Sequence, residues 1–123
     1  MQIGSDVDNL LLSLDLVDSK KLIASKLSPT LKRRLSVANA LIGGPKLVVL
    51  DEPAAGIDSV TRRFIWRTLR NYSEGRVIVM TSHYLGEVDV LCRRKVILTK
   101  GRVRCSGSTK FLKRLFGIGY HLT

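Results

Sequence analysis

The apolar positions of this 123-residue chain fall into two alternating rhythms. DNLLLSLDLV, residues 8–17, repeats apolar side chains at helical spacing and predicts a short amphipathic helix. TLKRRLSVANALI, residues 30–42, places Leu31, Leu35, Ala38 and Ile42 on one helical face, with Lys32, Arg33 and Arg34 largely toward solvent. Gly43, Gly44 and Pro45 stop that helix. LVVLD, 47–51, is a continuous apolar run between turn residues and predicts a buried strand. RVIVMT, 76–81, and KVILT, 95–99, are two more. The spacing predicts helices between them: 60–73, with Phe64, Ile65, Leu69 and Tyr72 in phase, and 84–92. RVRC after the Lys100–Gly101 turn is a short return strand, and STKFLKRLF is a last basic helix, capped by Ser108 and stopped by Gly117. Strands alternating with helices give an α/β fold with a parallel sheet.

Ligands of such sheets bind beyond the carboxyl ends of the strands, and the polar residues of interest lie there. Asp51 and Glu52 follow four apolar residues directly. Charge at that place favours a cation partner. Mg²⁺ on a phosphorylated ligand would suit, with one carboxylate on the ion, often through water, and the next polarising a water. Two solvated acids at a strand end is the plainer alternative. The second strand ends in Thr81, Ser82 and His83. If the two strands are neighbours, His83 emerges beside Glu52, where an imidazole could contact a phosphate. Asp58, in the AAGID turn, also reads as the start of the following helix, helped by Ser59.

Composition adds bounds. Apolar content of 45% and charged content of 25% are those of a globular domain. No apolar run approaches the roughly 20 residues that span a bilayer, so a soluble chain without its own transmembrane segment is expected. Cys92 and Cys105 have neither metal-ligand nor redox-motif spacing and are expected to be reduced, partly buried thiols. The net charge of +11 lies entirely in residues 59–123, where fourteen Lys/Arg face three Asp/Glu. A basic half favours anionic partners, but the basic residues are dispersed without interleaved aromatics. A nucleic-acid-binding role is therefore disfavoured.

Taken together, LVVLDEPAAGIDSVTRRFIW and VIVMTSHYLGEVDVLCRR resemble the second half of an ATP-binding-cassette (ABC) nucleotide-binding domain. The strand ending in Asp-Glu resembles Walker B, AAGID the D-loop and TSH the histidine loop. LSPTLKRRLSVANALIGGPK occupies the place of the family signature, LSGGQ or LSGGM followed by a basic helix. The tail from Gly107 is similar to the segment following the cassette in subfamily A, the lipid-exporting branch.

The resemblance implies an incomplete P-loop NTPase (RecA-like) parallel-sheet core with part of the ABC helical subdomain. Residues 1–44 would be the end of that subdomain with the signature helix, 45–107 the core from Walker B to the histidine loop, and 108–123 the tail. ATP and Mg²⁺ would be the ligands. Asp51 would order the Mg²⁺ shell, Glu52 would be the general base, and His83 would contact the γ-phosphate. Asp58 would communicate with a second cassette, and Ser28 would touch ATP held by it. The implied partners are a second nucleotide-binding domain and transmembrane domains not contained in these residues, and the implied place is the cytoplasmic face of a membrane.

Two departures qualify this picture. No G-x-x-x-x-G-K-[ST] occurs, so the phosphate-gripping P-loop is missing from the 123 residues. In the related sheet its strand lies between RVIVMT and KVILT, which would leave an empty slot, exposed apolar faces and open edges. A fragment that is marginally stable or aggregation-prone alone is expected. The signature glycines are replaced by Pro29 and Thr30. Pro29 lacks an N–H and Thr30 adds a branched side chain, so a weakened or non-hydrolytic composite site is expected.

Overall fold

A computed structural model describes residues 3–117 of the chain, so the end of the predicted tail, 118–123, lies outside the described residues. The chain divides into two compact units, Met1–His83 and Tyr84–Thr123.

In the first unit α1 (Ile3–Ser13) begins five residues earlier than its apolar run suggests. The run continues through the turn that ends the helix, where Asp15 takes φ 54°, and it buries Leu10, Leu14 and Leu16. Two short 3-10 turns, Val17–Ser19 and Ala24–Lys26, lead to α2 (Pro29–Leu41). Ser28 caps α2 by accepting the Leu31 N–H at 3.3 Å, and Pro29 occupies the first turn, where its missing N–H costs nothing. Gly43 and Gly44, at φ 77° and 64°, turn the chain away after it.

The buried face of α2 is Arg34, Val37, Ala38 and Leu41. Arg34 is thus only 8% exposed, which corrects its expected place toward solvent. The reason is that its fork finds partners inside. It donates to the carbonyls of Leu14 and Asp15 at 3.3 and 3.1 Å, to the Asp15 carboxylate at 2.9 Å and to Thr61 Oγ1 at 2.7 Å, and it lies 5.3 Å from the centroid of the Phe64 ring.

β1 (Leu47–Asp51) and β2 (Val77–Thr81) pair in parallel, from Leu47 opposite Val77 to Asp51 opposite Thr81. They are joined by α3 (Ser59–Tyr72), which buries Thr61, Ile65, Thr68 and Leu69. Thr68 Oγ1 donates to the Ser13 carbonyl at 3.1 Å, satisfying an acceptor at the end of α1. The expectation of strands buried on both faces is corrected here. Val48 and Leu50 are buried, whereas Leu47, Val49, Val77 and Val79 form an open apolar face, each more than half exposed. Parallel strands are normally covered on both sides, and among the described residues nothing covers this one.

In the second unit α4 (Leu85–Leu91) precedes β3 (Arg94–Thr99) and β4 (Arg102–Ser108). The sequence suggested that KVILT would join the parallel sheet. It instead forms a separate antiparallel pair with β4, closed by Lys100 and Gly101 at φ 50° and 70°, the conformation a tight hairpin turn requires. A bulge follows Ile97. α5 (Thr109–Phe116) is capped by Ser108, which accepts the Phe111 N–H at 3.2 Å. The Phe111 ring lies on Gly107, where any added Cβ would stand 2.5 Å from a ring carbon. Asp89 links α4 to β3 and α5 through Lys95 and, at 3.3 Å, Lys113.

Candidate functional site

The site forms where β1 and β2 end together. The register sets Thr81 opposite Asp51. The Thr81 hydroxyl donates to Asp51 Oδ1 at 2.5 Å and accepts the Glu52 N–H at 3.0 Å. Immediately after the ladder Glu52 takes φ 47°, a left-handed conformation uncommon outside glycine. Its side chain is 25% exposed, and Oε1 lies 3.2 Å from His83 Nε2. The contact is a hydrogen bond when Nε2 carries the only ring proton and an ion pair when the ring is fully protonated. The His83 side chain is otherwise 99% exposed. Asp51, Glu52, Thr81 and His83 therefore make one cluster, in which the Thr81 hydroxyl joins the Asp51 carboxylate to the Glu52 backbone and the Glu52 carboxylate meets His83.

The segment leaving Glu52 is held from beneath. Pro53, Ala54 and Ile57 are buried, the Ala55 N–H donates to the Glu52 carbonyl at 3.1 Å, and Gly56 supplies a φ of 71°. This turn delivers Asp58 to the start of α3. Asp58 itself is the cap, accepting the Thr61 N–H at 2.9 Å. That backbone hydrogen bond, reinforced by the Thr61 hydroxyl, holds the Asp58 carboxyl below its ordinary value of 3.8. Ionised Asp58 therefore stabilises the fold fully above pH 3.8, and the contribution fades as pH falls through the lower folded value. The gap in melting temperature between the native chain and Asp58→Ala is expected to be constant at neutral pH and to narrow below 3.8. A gap unchanged down to pH 2 would remove the charge from the cap.

Ser28 and Asp58 stand apart from the four-residue cluster, at the starts of α2 and α3, and each spends a side-chain oxygen on its own helix. Arg34 of α2 donates to the hydroxyl of Thr61, whose N–H the Asp58 carboxylate accepts, so α2 and the Asp58 cap are joined, whereas Ser28 bonds within its own helix start. Two members of this arrangement escaped the sequence reading. Arg34 was detectable, since it is in phase with Val37, Ala38 and Leu41. Thr81 was not, because its role depends on strand register.

Among the described residues no group of three or more His, Cys, Asp or Glu could hold a metal. One exposed carboxylate at a strand end fits Mg²⁺, which keeps most of its waters and takes remaining ligands from phosphate. It does not fit an all-protein cage. Cys92 and Cys105 are free and part-buried, as expected, and desolvation pushes the Cys92 thiol up, against Lys95, which pulls it down. No helix among the described residues is long and apolar enough to cross a membrane.

A parallel strand pair with a helical crossover and an acid pair at its carboxyl end is an arrangement that the P-loop NTPase fold contains, and solved structures share that fold. An ATP-binding subunit of an ABC transporter superposes with a TM-score of 0.82 at 24% identity, over 94% of this chain and 49% of that one. The ADP conformation of an ATP-binding cassette of another gives 0.71 at 21%, over 90% and 44%. No family profile matches the chain. Among curated proteins it is 38% identical over 122 residues to human ATP-binding cassette sub-family A member 10, 46% over 121 to ABC transporter A family member 9 of Arabidopsis thaliana, and 42% over 121 to human phospholipid-transporting ATPase ABCA7. The chain belongs to the ABC transporter family, and these relatives place it with subfamily A. The matches cover 98–99% of the chain but only 6–13% of these relatives.

Proposed function

We propose that residues 1–123 form the C-terminal half of a nucleotide-binding domain that binds and hydrolyses ATP and drives the movement of a lipid-like substrate. The observation that carries this is the cluster at the ends of β1 and β2, in which a Glu52 carboxylate 3.2 Å from His83 Nε2 adjoins Asp51. Asp51 would hold Mg²⁺ through water, and the ion when bound would neutralise charge on the phosphates. Glu52 would take the proton of the attacking water, with His83 fixing its carboxylate. Ser28 and Asp58, at the starts of α2 and α3, would face a second cassette. The substrate class rests on relatives such as phospholipid-transporting ATPase ABCA7, and the partners would be that second cassette and membrane domains.

The phosphate grip would come from outside these residues. A complete cassette containing them tests the reading: Mg²⁺-dependent ATP hydrolysis should vanish on removal of the Asp51–Glu52 pair, and turnover indifferent to both would sink it.

A second reading is a non-catalytic cassette segment that pairs with another domain. The open Leu47–Val49–Val77–Val79 face and the Pro29–Thr30 start of α2 favour it. The two readings separate at that helix start. Pro29→Gly with Thr30→Gly returns a backbone donor worth about 1.5–3 kcal/mol to a charged ligand, so ATP turnover in a complete cassette should rise roughly tenfold or more. An unchanged rate would show that the start of α2 does not limit the site.

A further inference from the structure

We propose that Thr81 is the positioning residue of the acid pair, a single hydroxyl that holds both carboxylate-bearing residues at once. Parallel pairing puts Thr81 level with Asp51, the last residue of β1. Glu52 lies one residue past the ladder, and its N–H donates to Thr81 Oγ1 at 3.0 Å. The same oxygen donates its one proton to Asp51 Oδ1 at 2.5 Å. A hydroxyl has one proton and two lone pairs, so both bonds form together without competition.

The consequence falls on Glu52. Its φ of 47° is sparsely populated for a residue with a side chain, and such a conformation persists only where its surroundings determine it. Thr81 determines it from one side and the Ala55 N–H, donating to the Glu52 carbonyl at 3.1 Å, from the other. From that conformation the Glu52 carboxylate reaches His83 at 3.2 Å. Removing the hydroxyl therefore releases the Asp51 carboxylate and the Glu52 peptide in one step. Valine would keep the branched shape that suits a strand and lose both bonds, while serine would keep both. Thr81 is exposed, so neither change burdens the core.

The inference concerns the geometry of the acid pair; its meaning for ATP turnover rests on the proposed function. The test is residue-resolved amide exchange at Glu52 in the 123-residue chain, or in a complete cassette containing it if the chain self-associates. Thr81→Val should speed exchange of the Glu52 amide by roughly threefold to tenfold, the loss of one net hydrogen bond, and shift its backbone coupling constant toward extended values. Thr81→Ala should do the same, and Thr81→Ser should stay close to native. The amides of Leu50 and Val79, which lie within the β1–β2 ladder, report whether it has survived. An unchanged Glu52 amide in the valine and alanine variants, or a serine variant as fast as valine, would overturn the proposal. Line broadening by Mn²⁺ at Asp51 and Glu52 reads the other level. If native protein shows none, the metal assignment fails while the exchange data still decide Thr81.

Discussion

Replacing Arg34 by alanine is expected to cost the fold about 2–4 kcal/mol, the size expected when a few buried neutral acceptors lose their donor. The ion pair to Asp15 is the smaller part, because the Asp15 side chain is 60% exposed and water can take over its charge. The larger part is what stays behind without a donor: the carbonyls of Leu14 and Asp15 at the end of α1, and the Thr61 hydroxyl, which then supports the Asp58 cap alone. The guanidinium also fills the space over the Phe64 ring. Lysine should recover only a minor share, since one ammonium cannot span the carbonyls, the carboxylate and the hydroxyl as a planar fork does. Methionine keeps the apolar stem, so comparing alanine with methionine separates packing from hydrogen bonding. Denaturant unfolding of the three variants measures this. A loss below about 1 kcal/mol for alanine, the size of an exposed pair, would mean that the network is incidental.

Arg34 also marks the limit of reading the chain by residue type. The basic run Lys32–Arg33–Arg34 was assigned to solvent as a block, yet a helix distributes successive residues around its axis. The expected face of Leu31, Leu35, Ala38 and Ile42 shares only Ala38 with the face that packs, Arg34, Val37, Ala38 and Leu41, and Ile42 is exposed; helical phase permits residue 34 beside 37, 38 and 41 whatever its charge. Capping behaved differently: Asp58 and Ser108 were legible because the chemistry is local, with an oxygen three residues before the amide it accepts. The meeting of Glu52 with His83 was legible on one condition, that β1 and β2 be neighbours, and the parallel ladder meets it.

What stayed hidden depends on partners distant in sequence. The bridging role of Thr81 requires knowing that residue 81 stands opposite 51 and not one place along. The burial of β1 was overestimated because four successive apolar residues imply cover on both faces, and such cover comes from other segments. Leu47, Val49, Val77 and Val79 carry side chains suited to a second layer that the described residues do not supply. The exposed apolar residues of β3 and β4, among them Val96, Leu98 and Val103, have the same character. The composition thus suits a larger packed body than these residues form, in keeping with solved cassettes about twice as long.

The acid pair makes the largest claim on activity. In a complete cassette containing residues 1–123, Glu52→Gln is expected to lower ATP hydrolysis by about 10²–10⁴-fold, the usual contribution of a positioned general base. The amide matches the carboxylate in size and can still accept from His83, so nucleotide binding should change little and the loss should appear in kcat. Asp51→Asn should act differently, by weakening Mg²⁺-dependent binding. His83→Ala should cost less than either, because a side chain 99% exposed is held only by its contact with Glu52. Pro29 and Thr30 at the start of α2 complicate the measurement, since a site already slowed there leaves little rate to lose. The comparison therefore belongs on the Pro29→Gly, Thr30→Gly background as well as the native one. If Glu52→Gln keeps the rate within tenfold where the two glycines have raised it, Glu52 is not the base, and its approach to His83 only shapes the strand end.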